Sequence, residues 1–175
     1  MGMLANALGK DFLKQKDAVR TRTFELGGHV FKVKVPLTAE FEAMQKRMTD
    51  LGQTKLDEYY ANMTEAFEKY RDKKDLDLDI KFEKDDVLLD GKSLREAAKN
   101  KLIAENRITE LFKLLVPAED GFDMGTITYP MIEELFPFPV QLQIIDKISH
   151  VVSPSPRTFR RAFYRDWETD RKSVV

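Results

Sequence analysis

Cysteine is absent from the 175-residue chain, which excludes a disulfide framework, a thiolate nucleophile and a sulfur-ligated zinc site. Histidine is almost absent as well. His29 and His150 are far apart in sequence, and neither has a metal-ligating partner at helical spacing, so we predict no metal site. The chain also lacks long apolar runs: its longest uncharged stretches, such as 135–145, have about half the length that a membrane span requires.

The chain also has no large excess of charge of either sign, because its 29 basic and 30 acidic residues give a net charge of −1. This balance excludes a globally basic nucleic-acid binder. The sequence contains neither of the glycine-rich patterns that cradle phosphates, nor the G-x-S-x-G pattern of a serine hydrolase. We therefore expect no catalytic residues and no cofactor, and we predict that the protein is not an enzyme.

What the chain does have is 42% apolar and 34% charged residues, the latter well above the usual fraction of about 25%. Such a composition is typical of a globular protein with several solvated helical faces. The first residues lack the basic flank and long apolar run of a secretory signal. We expect a soluble, cytoplasmic protein.

Residues 1–20 form the first predicted element, an N-terminal amphipathic helix. Its apolar side chains are Leu4, Ala7, Leu8 and Phe12, with lysines and aspartates on the opposite face. A helix of this kind docks on the body of the protein or on a partner. The alternative is an anchor that lies on a membrane surface, and the short apolar stripe favours docking.

Two β-rich runs, 22–26 and 29–35, flank the pair Gly27-Gly28 and predict a β-hairpin, since glycine tolerates the positive φ of a tight turn. The second run alternates, so one of its faces is apolar and the other is largely basic. A lone hairpin is marginal in water, and the apolar face must be covered. That face carries Phe31, Val33 and Val35.

Two helices are predicted next, over about 38–51 and 54–70, from apolar residues at three- and four-residue spacing. The aromatic residues of the second helix suit either a packed core seam or a platform for base stacking, and the core is favoured. Methionine and aromatic side chains also suit adaptable binding of a partner. The candidate partner-binding residues are Phe41, Met44, Met48, Tyr59, Met63 and Phe67.

Strict alternation of acidic and apolar residues over 75–83 predicts a half-buried strand, which can pair with 87–89 in a second small hairpin. The same run begins like a calcium-binding EF-hand loop. That loop needs glycine at its sixth position and glutamate at its twelfth, where this chain has Ile80 and Asp86. The strand is therefore favoured over a calcium site.

A capping box at Ser93–Glu96 predicts the start of a long helix, which we expect to end at Val116-Pro117. The last predicted helix covers 140–152. Together these elements predict a helix-dominated α+β fold, with an N-terminal β-hairpin followed by a helical body that can include the second small hairpin. The predicted segments are a helix over 1–20, a single α+β domain over 21–152, a Pro/Arg-rich end segment over 153–164 and a tail over 165–175.

The end segment mixes basic and aromatic residues, as single-stranded nucleic acid or an acidic protein groove would require. The alternative, which we favour, is an amphipathic end segment without a binding role. The tail over 165–175 resembles a translated sequencing adapter, and we interpret it as non-native; the alternative is an ordinary disordered terminus. The basic-aromatic residues are Arg157, Phe159, Arg160, Arg161 and Phe163.

The order of elements resembles the tail assembly chaperones of long-tailed bacteriophages. The resemblance rests on the predicted strand pair over 23–35, its continuation Pro36-Leu-Thr-Ala-Glu-Phe-Glu42, and the charged helices that follow. It covers about residues 20–150 and is one of organisation.

This resemblance implies a non-enzymatic role in viral tail assembly. Such chaperones bind the helical tape-measure protein, keep it soluble in the host cytoplasm and help to recruit tail-tube subunits. The six candidate partner-binding residues would then form the binding face, although the same residues serve equally well as internal core. Two alternatives remain open: a structural virion component of the tail or connector, and a small regulatory protein that contacts nucleic acid.

Overall fold

A computed structural model describes residues 3–72 and 79–153 and confirms a helix-dominated α+β fold with an N-terminal β-hairpin. The helix predicted over 1–20 is, in the described residues 3–20, broken in two at Gly9, where φ is +87°. The elements are α1 (Met3–Ala7), α2 (Lys10–Arg20), β1 (Thr21–Leu26), β2 (His29–Lys34), α3 (Thr38–Thr49), α4 (Gln53–Glu68), β3 (Ile80–Phe82), β4 (Val87–Leu89), β5 (Lys92–Ser93), α5 (Leu94–Phe112), a 3₁₀ turn (Met124–Thr126), α6 (Tyr129–Leu135) and α7 (Phe138–Val152).

Contacts divide the described residues into two compact units. The first, which we call the terminal unit, comprises 3–37 and 111–153, and the second, the central unit, comprises 38–110. The sequence predicts one domain over 21–152. A division by contacts does not test whether those residues fold as one body, so the single domain stays a prediction.

The N-terminal hairpin follows its turn chemistry. Gly27 and Gly28 have φ values of +60° and +79°, as a two-residue type I′ turn requires. The register places Phe24 opposite Phe31, and their rings stack with centroids 5.0 Å apart. Val33, on the same face as Phe31, is fully buried, which confirms the predicted apolar face.

Two elements of the terminal unit cover this hairpin. α7 packs against both strands, and the backbone that follows α5 pairs with β2. The amide of Lys34 donates to the carbonyl of Leu114, and the amide of Val116 donates to the carbonyl of Lys32, both at 2.8 Å. Because 114–116 pairs with β2, α5 ends at Phe112, and the predicted end at Val116-Pro117 is wrong.

The central unit contains a small antiparallel sheet of order β3-β4-β5. The second small hairpin is therefore present, with a third short strand beside it. Asp90 and Gly91 both have positive φ and make the turn from β4 to β5. Of the strand predicted over 75–83, residues 80–82 form β3, and residues 73–78 lie outside the described part of the chain.

Candidate partner-binding surface

The six predicted partner-binding residues all lie in the central unit. Met44 and Met48 are 2% and 6% exposed, so a partner cannot contact them in this conformation. They are therefore core residues here. Apolar residues at helical spacing can form either a core or a binding face, and the spacing alone does not distinguish the two. Phe41, Met63 and Phe67 are half-buried, as is Tyr59. Their use by a partner stays a prediction.

Tyr59 takes part in a polar contact with the interior. Its hydroxyl donates a hydrogen bond to the carboxylate of Glu105, which is only 7% exposed. The ammonium group of Lys101 lies 3.9 Å from the same carboxylate. A buried charge needs such partners to offset its lost hydration. Tyr59 therefore has a structural role as the hydrogen-bond donor to the buried Glu105 carboxylate.

A second polar cluster fixes the start of α5. The carboxylate of Asp86 accepts hydrogen bonds from the Ser93 hydroxyl and from the backbone amides of Val87 and Arg95, at 2.8 and 3.1 Å for the two amides. Ser93 in turn accepts from the amide of Glu96 at 3.0 Å, which confirms the predicted helix start. Burial raises the pKa of Asp86, but these hydrogen bonds together outweigh it and hold the pKa below its ordinary value.

Arg95 joins this cluster to α4. Its guanidinium lies 4.2 Å from the centroid of the Tyr60 ring, its Nη1 lies 3.5 Å from Asp57, and its Nε donates to the carbonyl of Asp85 at 3.1 Å. Burial and the negative charge of Asp86 raise the pKa of the Tyr60 hydroxyl. These groups satisfy one another, so the arrangement positions α4, the small sheet and α5.

Residues 3–72 and 79–153 contain no cluster of three or more side chains that could together ligate a metal ion. His150 lies 3.4 Å from the carboxylate of Asp146, one helical turn earlier. The basic-aromatic residues Arg157, Phe159, Arg160, Arg161 and Phe163, and the tail over 165–175, lie outside the described residues. No helix in the described ranges combines the length and apolarity needed to cross a membrane.

The surface that stands out lies at the junction of α6 and α7, and the sequence reasoning missed it. Met131 and Leu135 are four residues apart on α6, and Phe138 and Leu142 are four apart on α7. All four are exposed, with Leu135 at 76%. We call these four residues the corner surface. The four-residue spacing was a usable signal, but Pro137 and Pro139 made the segment look like a break between helices.

Buried contacts beneath the corner surface stabilise the junction of α6 and α7. The side-chain amide of Gln141, which is fully buried, donates to the carbonyl of Phe136 at 2.8 Å. The Phe136 ring lies 5.7 Å from that of Phe112, and Ile132 and Ile144 are buried. Pro139 occupies the first turn of α7, where its missing amide costs no hydrogen bond. The exposed apolar residues therefore sit on a packed support.

The segment that carries the corner surface is acidic. Residues 118–153 contain six carboxylates, all exposed, and a single lysine, Lys147. Asp146 lies one turn beyond Leu142 on α7, and two glutamates lie between Met131 and Leu135. A ligand for this surface needs apolar side chains flanked by positive charge. The six carboxylates belong to Glu119, Asp120, Asp123, Glu133, Glu134 and Asp146.

The chain matches no protein-family model, and comparison with the curated proteins and with the solved structures found no match.

Proposed function

We propose that this protein is a non-enzymatic tail assembly chaperone, which binds helical segments of a phage tape-measure protein through the corner surface and keeps that protein soluble. The observation that carries the proposal is the corner surface itself, four exposed apolar side chains on a buried, hydrogen-bonded support. The order of elements, a hairpin followed by charged helices, supports it through the resemblance to that class of chaperone.

The physical argument is that of helix recognition. An amphipathic helix presents apolar residues at three- and four-residue spacing and lays them against an apolar face. Met131 with Leu135 and Phe138 with Leu142 offer that spacing on two consecutive helices. Methionine and leucine side chains adapt to different helical turns, which suits a ligand that consists of many similar helical segments.

The proposal is tested by co-expression with the tape-measure protein of the same phage. The wild-type chain should raise the soluble fraction of that protein several-fold, and the double variant Leu135→Ser, Phe138→Ser should lose most of the effect. The matched control, Val30→Thr with Leu37→Ser, changes two apolar residues that are exposed elsewhere and should act like wild type. Equal insolubility of the tape-measure protein with and without the wild-type chain would overturn the proposal.

The proposal also implies that the protein acts in the host cytoplasm and is absent from finished particles. Mass spectrometry of purified particles checks this implication. Stoichiometric amounts of the chain in the particle would favour the alternative, a structural component of the tail or connector.

A further inference from the structure

We infer that the corner surface is also a self-association site, which takes the N-terminal arm of a second copy of this chain. The N-terminal arm is defined as α1 and α2, residues 3–20. This inference goes beyond the proposed function and does not require a tape-measure protein. It rests on two exposed surfaces of opposite charge in the terminal unit.

The N-terminal arm is amphipathic but has little cover. Met3, Leu4 and Leu8 are each more than half exposed, and so is Val19. A helix of five residues, such as α1, is far too short to be stable in water by itself. The arm therefore carries an apolar stripe without the burial that would stabilise its helical form.

The charge on the arm is the opposite of that around the corner surface. Lys10, Lys14 and Lys16 are all exposed, and α2 has four basic residues against two acidic ones. On α6, Glu134 lies beside the stripe formed by Met131 and Leu135, and on α7 Asp146 lies one turn beyond Leu142; both carboxylates are exposed. Opposite potentials steer two surfaces together and fix which one docks on which.

The spacing of the apolar groups matches as well. Leu8 directly follows α1, and its amide donates to the carbonyl of Leu4 at 3.0 Å, so the two residues are one helical turn, about 6 Å, apart. The same separation relates Met131 to Leu135 on α6. Both surfaces are exposed in a single copy, which leaves them accessible to a second copy.

A contact of this size is weak. Four apolar side chains and their charged neighbours bury less than the roughly 1,200 Å² of a standard stable interface. Association should therefore depend on concentration, with half-association in the micromolar range or above. Because the arm and the corner surface are different patches, the contact is heterologous. Such contacts build an open chain of copies, unless they close into a ring or two copies exchange their arms with each other.

Sedimentation velocity of the full chain tests the inference. The wild-type sedimentation coefficient should rise with concentration at low salt. The arm variant Leu4→Ser, Leu8→Ser and the corner variant Leu135→Ser, Phe138→Ser should each stay monomeric. The control Val30→Thr, Leu37→Ser should associate like wild type.

Mixing the two monomeric variants gives the decisive result. The arm variant keeps an intact corner surface, and the corner variant keeps an intact arm, so an equimolar mixture should form complexes of two copies and nothing larger. A mixture that stays monomeric overturns the inference, and so does a wild-type chain that is monomeric at every concentration. In the latter case co-expression can still succeed, which separates this result from the fate of the proposed function.

Charge reversal covers the case in which the serine variants do not fold, since all the residues involved are exposed. Chains with Lys10→Glu and Lys14→Glu should associate with chains carrying Glu134→Lys and Asp146→Lys. Each of these two variants should associate with wild-type copies more weakly than wild-type copies associate with one another. Raising salt from 50 to 500 mM should weaken wild-type association several-fold. If association appears only when residues 154–175 are removed, the occupant in the full chain is its own end segment, and the second-copy inference fails.

Discussion

At the residue scale, the hydroxyl of Tyr59 and the buried carboxylate of Glu105 depend on each other. Replacing Tyr59 with Phe removes the donor while the carboxylate stays buried. We expect the free energy of unfolding to fall by about 1–3 kcal/mol, measured by urea denaturation. A double-mutant cycle with Glu105→Leu, which removes the acceptor, is the control, and additive effects of the two changes would contradict the coupling.

Asp86 predicts a pH dependence at the same scale. Folding lowers the pKa of this carboxyl, so its contribution to stability is present above the unfolded pKa of about 3.9 and is lost as the pH falls through the lower, folded value. Asp86→Asn should therefore destabilise the protein at pH 7, and its difference from wild type should shrink by pH 3. Urea denaturation at several pH values measures this, with Asp90→Asn as control. A difference that is constant with pH would contradict the assignment.

At the element scale, the N-terminal hairpin depends on two glycines with positive φ. Gly28→Val places a β-branched residue in the left-handed region, and we expect a loss of about 1–2 kcal/mol in stability, measured by thermal and urea unfolding. Gly28→Asn is the matched control, because asparagine tolerates this conformation. Equal losses for both variants would show that side-chain volume rather than backbone conformation limits the turn.

The elements that sequence predicts well are those fixed by neighbours in the chain. The Gly27-Gly28 turn, the Asp90-Gly91 turn and the Ser93 cap each depend on residues within four positions in the chain, and the structure has all three. The end of α5 was not predictable in this way. Its last turn gives way to pairing of 114–116 with β2, a partner about 80 residues earlier in the chain.

The location of the candidate site also depends on tertiary contacts, which the local sequence does not reveal. Met44 and Met48 follow the spacing of a binding face, but burial decides which apolar stripe is core, and burial is a property of the folded chain. The reverse holds for Leu135 and Phe138, which look like ordinary core residues beside two prolines and are exposed. Apolar periodicity identifies a stripe, and only tertiary packing decides what covers it.

At the scale of the whole molecule, the central unit is continuous in sequence and has its own buried residues, cap and sheet. We expect a fragment of residues 38–112 to fold alone, with a cooperative thermal transition in circular dichroism and dispersed amide resonances. A shorter fragment, 53–112, lacks α3 with its buried Met44 and Met48 and should not fold. If the 38–112 fragment is also unfolded, that result would contradict independent folding of the central unit.

The terminal unit, in contrast, is made of two stretches separated by the whole central unit. On the ribosome its hairpin is complete at residue 37, but the backbone that pairs with β2 follows only at 114–116, and the covering helix α7 only at 138–152. At about 5–20 residues per second, roughly 4–15 s of synthesis separate these events. A chain released in that interval has Phe24, Phe31 and Val33 without their covering elements, and we expect cellular proteases to remove it faster than the finished protein.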